Sequence, residues 1–222
     1  MNYLKFILLF NILLSLSANA LLEVNIIKSK EAAFPIVIAP FEVIGNSKEN
    51  VDIAKIIRDN LNRSGQFSAL STDALIGNQI DFNFWKKHKK DAVVFGKVEQ
   101  ISPKVYNVYI YIYDVFSEKS LYQKKITVSN SGFRKMAHFL SDKIYYVLLG
   151  QKGSFNTRLS YVTVSDNNSG GRIYRLQISD SDGFNPQTVV RSPNPILSPA
   201  WSKDQKKLAY VSFKNNRSEV FV

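Results

Sequence analysis

The side chains able to do chemistry are few and scattered. The two histidines, His88 and His138, fall on different predicted helices with no metal-ligand spacing between them. Cysteine is absent, which removes disulfides, thiol catalysis, cysteine-type zinc sites and a lipid anchor on a cysteine after a leader. Neither a Gly-x-Ser-x-Gly elbow nor a phosphate-cradling glycine loop occurs. Asp180, Asp182 and Asn185 could suggest calcium, but Gly183 comes too early for an EF-hand loop and the twelfth-position acid is missing. A hairpin turn is expected there. These residues predict no catalytic group, no metal and no cofactor.

Two further groupings have two readings each. Tyr109, Tyr111 and Tyr113 share one face of a predicted strand, with Val108, Ile110 and Ile112 on the other. They could stack bases or sugars. They could equally belong to a central strand covered on both sides, and no RNA-recognition signature accompanies them. The run Lys86-Lys87-His88-Lys89-Lys90 could touch anionic lipid or glycan. It also sits where a helix should end, a place the helix dipole favours for cations.

The elements that must position these groups begin after a leader. Met1 to Lys5 carry one positive charge, Phe6 to Leu16 are apolar apart from Asn11 and Ser15, and Ser17-Ala18-Asn19-Ala20 supplies small residues two apart. This predicts a cleavable secretory signal over 1–20. The apolar run is short of the roughly 20 residues a membrane helix needs. A formal charge of +11 would suggest nucleic acid in a cytosolic protein. Behind a signal peptide the counterparts are anionic lipid, lipopolysaccharide, peptidoglycan or an acidic protein, or the lysines simply serve solubility.

Leu21 to Ile27 alternates as a short extended segment, Leu22, Val24 and Ile26 against Glu23 and Asn25. Pro35 to Phe41 reads as a buried strand. Asn50 is expected to cap a helix carrying Val51, Ile53, Ala54, Ile56, Ile57 and Leu61, stopped by Gly65. Phe67 to Leu70 is a second strand, which suggests a parallel crossover. A short helix from Asp81, an antiparallel meander (Ala92 to Val98, Tyr106 to Phe116, Leu121 to Val128) and a long amphipathic helix from Phe133 to a stop at Gly150 follow. The expected fold is an α+β domain, a mixed sheet with helices on one face, over 21–150. From 151 to 222 helical periodicity disappears and short strands alternate with polar turns, as in a sandwich or propeller.

Ser198-Pro199-Ala200-Trp201-Ser202-Lys203-Asp204-Gln205 and the following Leu208-Ala209-Tyr210-Val211-Ser212 resemble the blade repeat of TolB-type β-propellers. Ser198, Pro199, Trp201, Asp204, Leu208 and Tyr210 carry that blade motif. Lys203 and Gln205 stand where the repeat has proline and glycine. Gly153 to Val162, Tyr174 to Asn185, Pro35 to Phe41, Asp91 to Gly96 and the helix ending at Gly150 are also similar to the TolB family in order and spacing. Arg158 to Val222 supplies little more than one blade of the roughly 4–8 that close a propeller, so the resemblance implies a partial chain lacking roughly 200 residues.

The resemblance implies a periplasmic docking protein of the Tol–Pal system, which keeps the outer membrane attached and constricting at division and which colicins exploit for import. Its extreme N-terminal segment would pair with the TolA C-terminal domain, a role that maps onto Leu21, Leu22, Glu23, Val24, Asn25, Ile26 and Ile27. Its propeller would bind the lipoprotein Pal. A short alternating strand at a free terminus suits addition to a partner's sheet edge. Two other readings stay open: the N-terminal piece of a secreted serine peptidase with a propeller of this repeat type, and a basic binder of anionic envelope polymers.

Overall fold

The computed structural model describes residues 33–45, 52–72, 80–167 and 169–222. The predicted signal over 1–20 and the segment Leu21 to Ile27 lie outside the described residues.

A five-stranded sheet, in the order β2-β1-β3-β4-β5, organises the first part. It comprises β1 (Phe34–Ile44), β2 (Phe67–Ser71), β3 (Ala92–Ser102), β4 (Val105–Asp114) and β5 (Ser120–Ser129). Helix α1 (Ile53–Arg63) links β1 to β2, helix α2 (Phe82–Lys87) precedes β3, and helix α3 (Phe133–Leu149) follows β5. β1 runs parallel to both β2 and β3, whereas β3, β4 and β5 form the expected antiparallel meander. The sheet is therefore mixed.

Periodicity explains which faces are buried. Ile53, Ala54, Ile57 and Leu61 of α1 and Phe133, Met136, Ala137, Leu140 and Ile144 of α3 are buried at three- and four-residue steps. They meet Ile36, Ile38, Val94, Val108, Ile110 and Ile112 from alternate sheet positions. Each large aliphatic buried there contributes about 1.5–3 kcal/mol. On the opposite face Val37, Ala39, Val93, Phe95 and Val115 form a smaller cluster under Trp85 of α2. Tyr111 and Tyr113 stack on Phe95 at 5.0 and 6.0 Å within that cluster. The tyrosine row thus packs partly against its own domain, while the Tyr109 hydroxyl donates to Glu99 at 3.0 Å.

Local chemistry sets the helix ends. Asp52, and not Asn50, caps α1, its carboxylate accepting from Lys55 N–H at 2.8 Å. Both residues are good caps, and the two-residue difference follows from Ile53 being the first buried position of the stripe. The short helix α2 starts where expected, and Asp81 caps it, accepting from Phe84 N–H. Lys86 and Lys87 close it, and Lys86 pairs with Glu118 at 2.6 Å. Gly150 ends α3 with φ +70°, and its N–H reaches Tyr146 O at 2.8 Å.

Beyond Gly150 the described regular elements are all strands. β6 (Arg158–Asp166), β7 (Arg172–Asp180) and β8 (Gln187–Ser192) form one antiparallel sheet. β9 (Ile196–Trp201), β10 (Leu208–Ser212) and β11 (Glu219–Phe221) form another. An α+β domain followed by the beginning of a β-propeller is thus the fold.

Candidate functional site

The chemistry-bearing residues converge where α3 meets the turn between β7 and β8. Arg134, His138 and Asp142 lie four residues apart on α3 and so form one stripe. The Arg134 guanidinium pairs with Asp182 through its NH2 group, and its Nε lies 3.3 Å from Asp180 Oδ2. It also sits 3.8 Å from the centre of the Phe184 ring. His138 Nε2 is 3.7 Å from Asp182 Oδ2. Asp142 accepts from the backbone N–H groups of Phe155 and Asn156 at 2.8 and 3.1 Å. Ser181 closes the arrangement by donating to Phe155 O at 2.5 Å. The turn at 180–184 is the hairpin expected from sequence: Gly183 N–H donates to Asp180 O, and Asp182 accepts from Phe184 N–H.

Behind His138 a buried hub joins α1 to α3. The Asn60 amide NH2 points at His138 Nδ1 and at Ser141 Oγ, both at 2.9 Å. Asn60 Oδ1 accepts from Arg63 at 2.8 Å, and Ser141 donates to Ala137 O at 2.9 Å. Arg63 and Ser141 together fix the orientation of the Asn60 amide. His138 Nδ1 must then be the acceptor, and Nε2 carries the ring proton. Burial pushes the His138 pKa down. Asp182 pulls it up, Arg134 pushes it down, Asp180 pulls it up and Arg63 pushes it down, in decreasing order.

One donor atom each from His138, Asp180 and Asp182 lies within 4.8 Å of the others, a grouping not seen from the sequence. As arranged they do not present a ligand set, because Nε2 carries the ring proton while Nδ1 accepts from Asn60, and Arg134 already pairs with both carboxylates. No local signal announces this cluster. Arg134 and Asp182 are 48 positions apart, and only the docking of turn on helix brings them together.

The blade-motif residues gather in the second strand sheet. Trp201 pairs with Leu208 across β9 and β10, and the Arg158 guanidinium of the neighbouring sheet lies 4.8 Å from its ring. Tyr210 stacks on Phe221 at 5.7 Å. Ser198, with φ +50°, and Pro199 occupy an irregularity in the β9–β10 ladder, where proline is tolerated. Asp204 organises the turn, accepting from the Ser202 hydroxyl at 2.6 Å and from Lys206 N–H at 3.2 Å. Those bonds hold its pKa below the usual carboxylate value. Gln205 adopts φ +58°, a conformation glycine enters without strain. A side chain there costs about 1–2 kcal/mol, offset in part by about 0.4–1 kcal/mol of unfolded-chain entropy. Gln205→Gly should therefore stabilise the chain by about 0.5–1 kcal/mol. A calorimetric melt with an unchanged or lower midpoint would contradict this reading of the turn.

Two family models match the chain. The TolB amino-terminal domain matches residues 22–121, and the TolB beta propeller domain matches residues 145–222. The chain belongs to the TolB family. It is 58% identical over 201 residues to the Tol-Pal system protein TolB of Ruthia magnifica subsp. Calyptogena magnifica, covering 90% of this chain and 47% of that protein. Identity to the Tol-Pal system protein TolB of Nitrosococcus oceani is 41%, covering 93% of this chain and 48% of that protein. The crystal structure of TolB from Acinetobacter baumannii superposes with a TM-score of 0.72 at 36% identity, covering 85% of this chain and 46% of that one. The chain thus spans about half the length of the TolB relatives it matches. Among the described residues no helix is long and apolar enough to cross a membrane.

Proposed function

We propose that this chain is a periplasmic, non-enzymatic docking component of the Tol–Pal system. The observation that carries this reading is the union, in one chain, of a TolB amino-terminal domain and the start of a TolB propeller, each matched by its own family model. The names of the relatives place those proteins in the Tol–Pal system. In this reading Leu21 to Ile27 pairs with the TolA C-terminal domain by strand addition, and Pal is met on the propeller side. The motif Ser198, Pro199, Trp201, Asp204, Leu208 and Tyr210 builds the blade. Support of outer-membrane integrity, constriction at division and colicin import belong to the same proposal.

The test is a pull-down of the chain beginning at Leu21 against the TolA C-terminal domain and Pal separately. Capture of TolA is expected, and deletion of residues 21–27 should abolish it while leaving the thermal melt of the remaining chain unchanged. Full TolA capture by the deleted chain would remove the role of that segment. Capture of neither partner by the intact chain would leave the TolB likeness purely architectural.

A further inference from the structure

The hub around Asn60 does more than choose a tautomer. Neutral His138 uses its Nδ1 lone pair to accept from Asn60, and that contact is a polar link between α1 and α3. A proton added at Nδ1 would set one N–H against another. Turning the Asn60 amide over would relieve the clash only by taking Oδ1 from Arg63 and aiming it at Ser141, whose hydrogen already goes to Ala137 O. Protonation therefore breaks the hub. On the other side of the ring the blade turn offers Asp182, 3.7 Å from Nε2, and Asp180 beyond it. Arg134 on α3 and Arg63 on α1 face the ring with positive charge. His138 also lines a cleft of about 450 Å³ with Lys135, Arg158, Asp180 and Gln205.

We propose that His138 is a proton-controlled joint. Neutral, it ties α1 to α3 through Asn60; protonated, it releases Asn60 and turns toward the acidic blade turn. The electrostatics support this. Burial outweighs the two aspartates and holds the folded-state pKa below the ordinary 6.5. With the folded pKa depressed, the unfolded chain binds the proton more readily. The stability that neutral His138 contributes is complete above pH 6.5 and is lost as pH falls from there through the folded-state pKa. Each unit of separation between the two pKa values is a tenfold change in the folding equilibrium.

The experiment is an NMR titration of the full chain carrying His88→Gln, which leaves His138 as the remaining imidazole. Above pH 7 the ring should be the neutral Nε2–H tautomer. Its titration midpoint should lie below 6.5, and the Asn60 side-chain amide should shift with the same midpoint. A parallel series of thermal melts between about pH 7.5 and 5.5 should show a loss of stability in the wild-type chain that is much smaller in His138→Gln. The titration stands alone if that variant does not fold. An Nδ1–H tautomer, a midpoint at or above 6.5, or an Asn60 amide that ignores the titration would each overturn the proposal. So would a full acid-induced loss of stability in a folded His138→Gln chain.

Discussion

Gly96→Val is expected to unfold the five-stranded sheet at denaturant concentrations where the wild-type chain is still native. Gly96 lies on β3, where β1 resumes pairing after an irregularity and sets Phe41 opposite it. The Phe41 ring lies across the space a side chain would fill, and the Tyr109 carbonyl oxygen of β4 closes it from the other side. A Cβ would overlap both. The ring can move only by leaving the core against which it packs, and the carbonyl belongs to the ladder between β3 and β4. Alanine should cost about 3 kcal/mol, the upper part of the range for overpacking. Valine should cost more than about 4 kcal/mol, beyond most single substitutions. Urea unfolding followed by circular dichroism measures both. A valine variant within 1 kcal/mol of wild type would mean that this strand crossing is far softer than its geometry implies.

The second large effect is expected at Arg134. Its guanidinium compensates Asp182 and Asp180 while covering Phe184. Removing one partner of a fully buried pair costs about 3–5 kcal/mol, because the other charge is left uncompensated. Here the side chains of Arg134 and Asp182 retain 24% and 14% of their exposure, so solvent screens part of that loss. Arg134→Ala should lower stability by about 2–3 kcal/mol. Arg134→Lys keeps the charge but not the planar fork that reaches two carboxylates and a ring, and should fall in between. Amide exchange should locate the damage at Phe155, Asn156 and Gly183, with the sheet core protected as before. Equal acceleration throughout the sheet would show that the arginine supports the whole fold and not the junction.

The sequence disclosed the elements far better than their meeting. The stripes on α1 and α3, the alternation of β4 and the stop at Gly150 are local patterns whose periods select helix or strand. The turn at Asp204 and the strand after it were equally legible, since the residue types at 198–210 are set by a turn and one strand pair. Asp180 and Asp182 were read correctly as turn residues. Their carboxylates were not traced to Arg134 and His138, because that contact requires the hairpin to lie on α3. Asn60 gave no signal either. A polar residue on an apolar helix face looks like an interruption until Ser141 and His138 arrive opposite it. The cap at Asp52 was missed by two positions because capping side chains recur throughout that loop. The strand β11, three residues long, is too short for alternation to reveal.

The spacing of Arg134, His138 and Asp142 has a mechanical consequence. All three reach across the same line of α3, so a modest roll of the helix about its axis would lift them off together. A slide along the axis would have to cover about 6 Å, the rise over four residues, before the next side chain met the same counterpart. His138 would then stand opposite the aspartates and Asp142 would stand where the ring had been. That register thus places a carboxylate near carboxylates. The fitting behaves as a keyed coupling, seated in one position or disengaged, with no stable half-way setting.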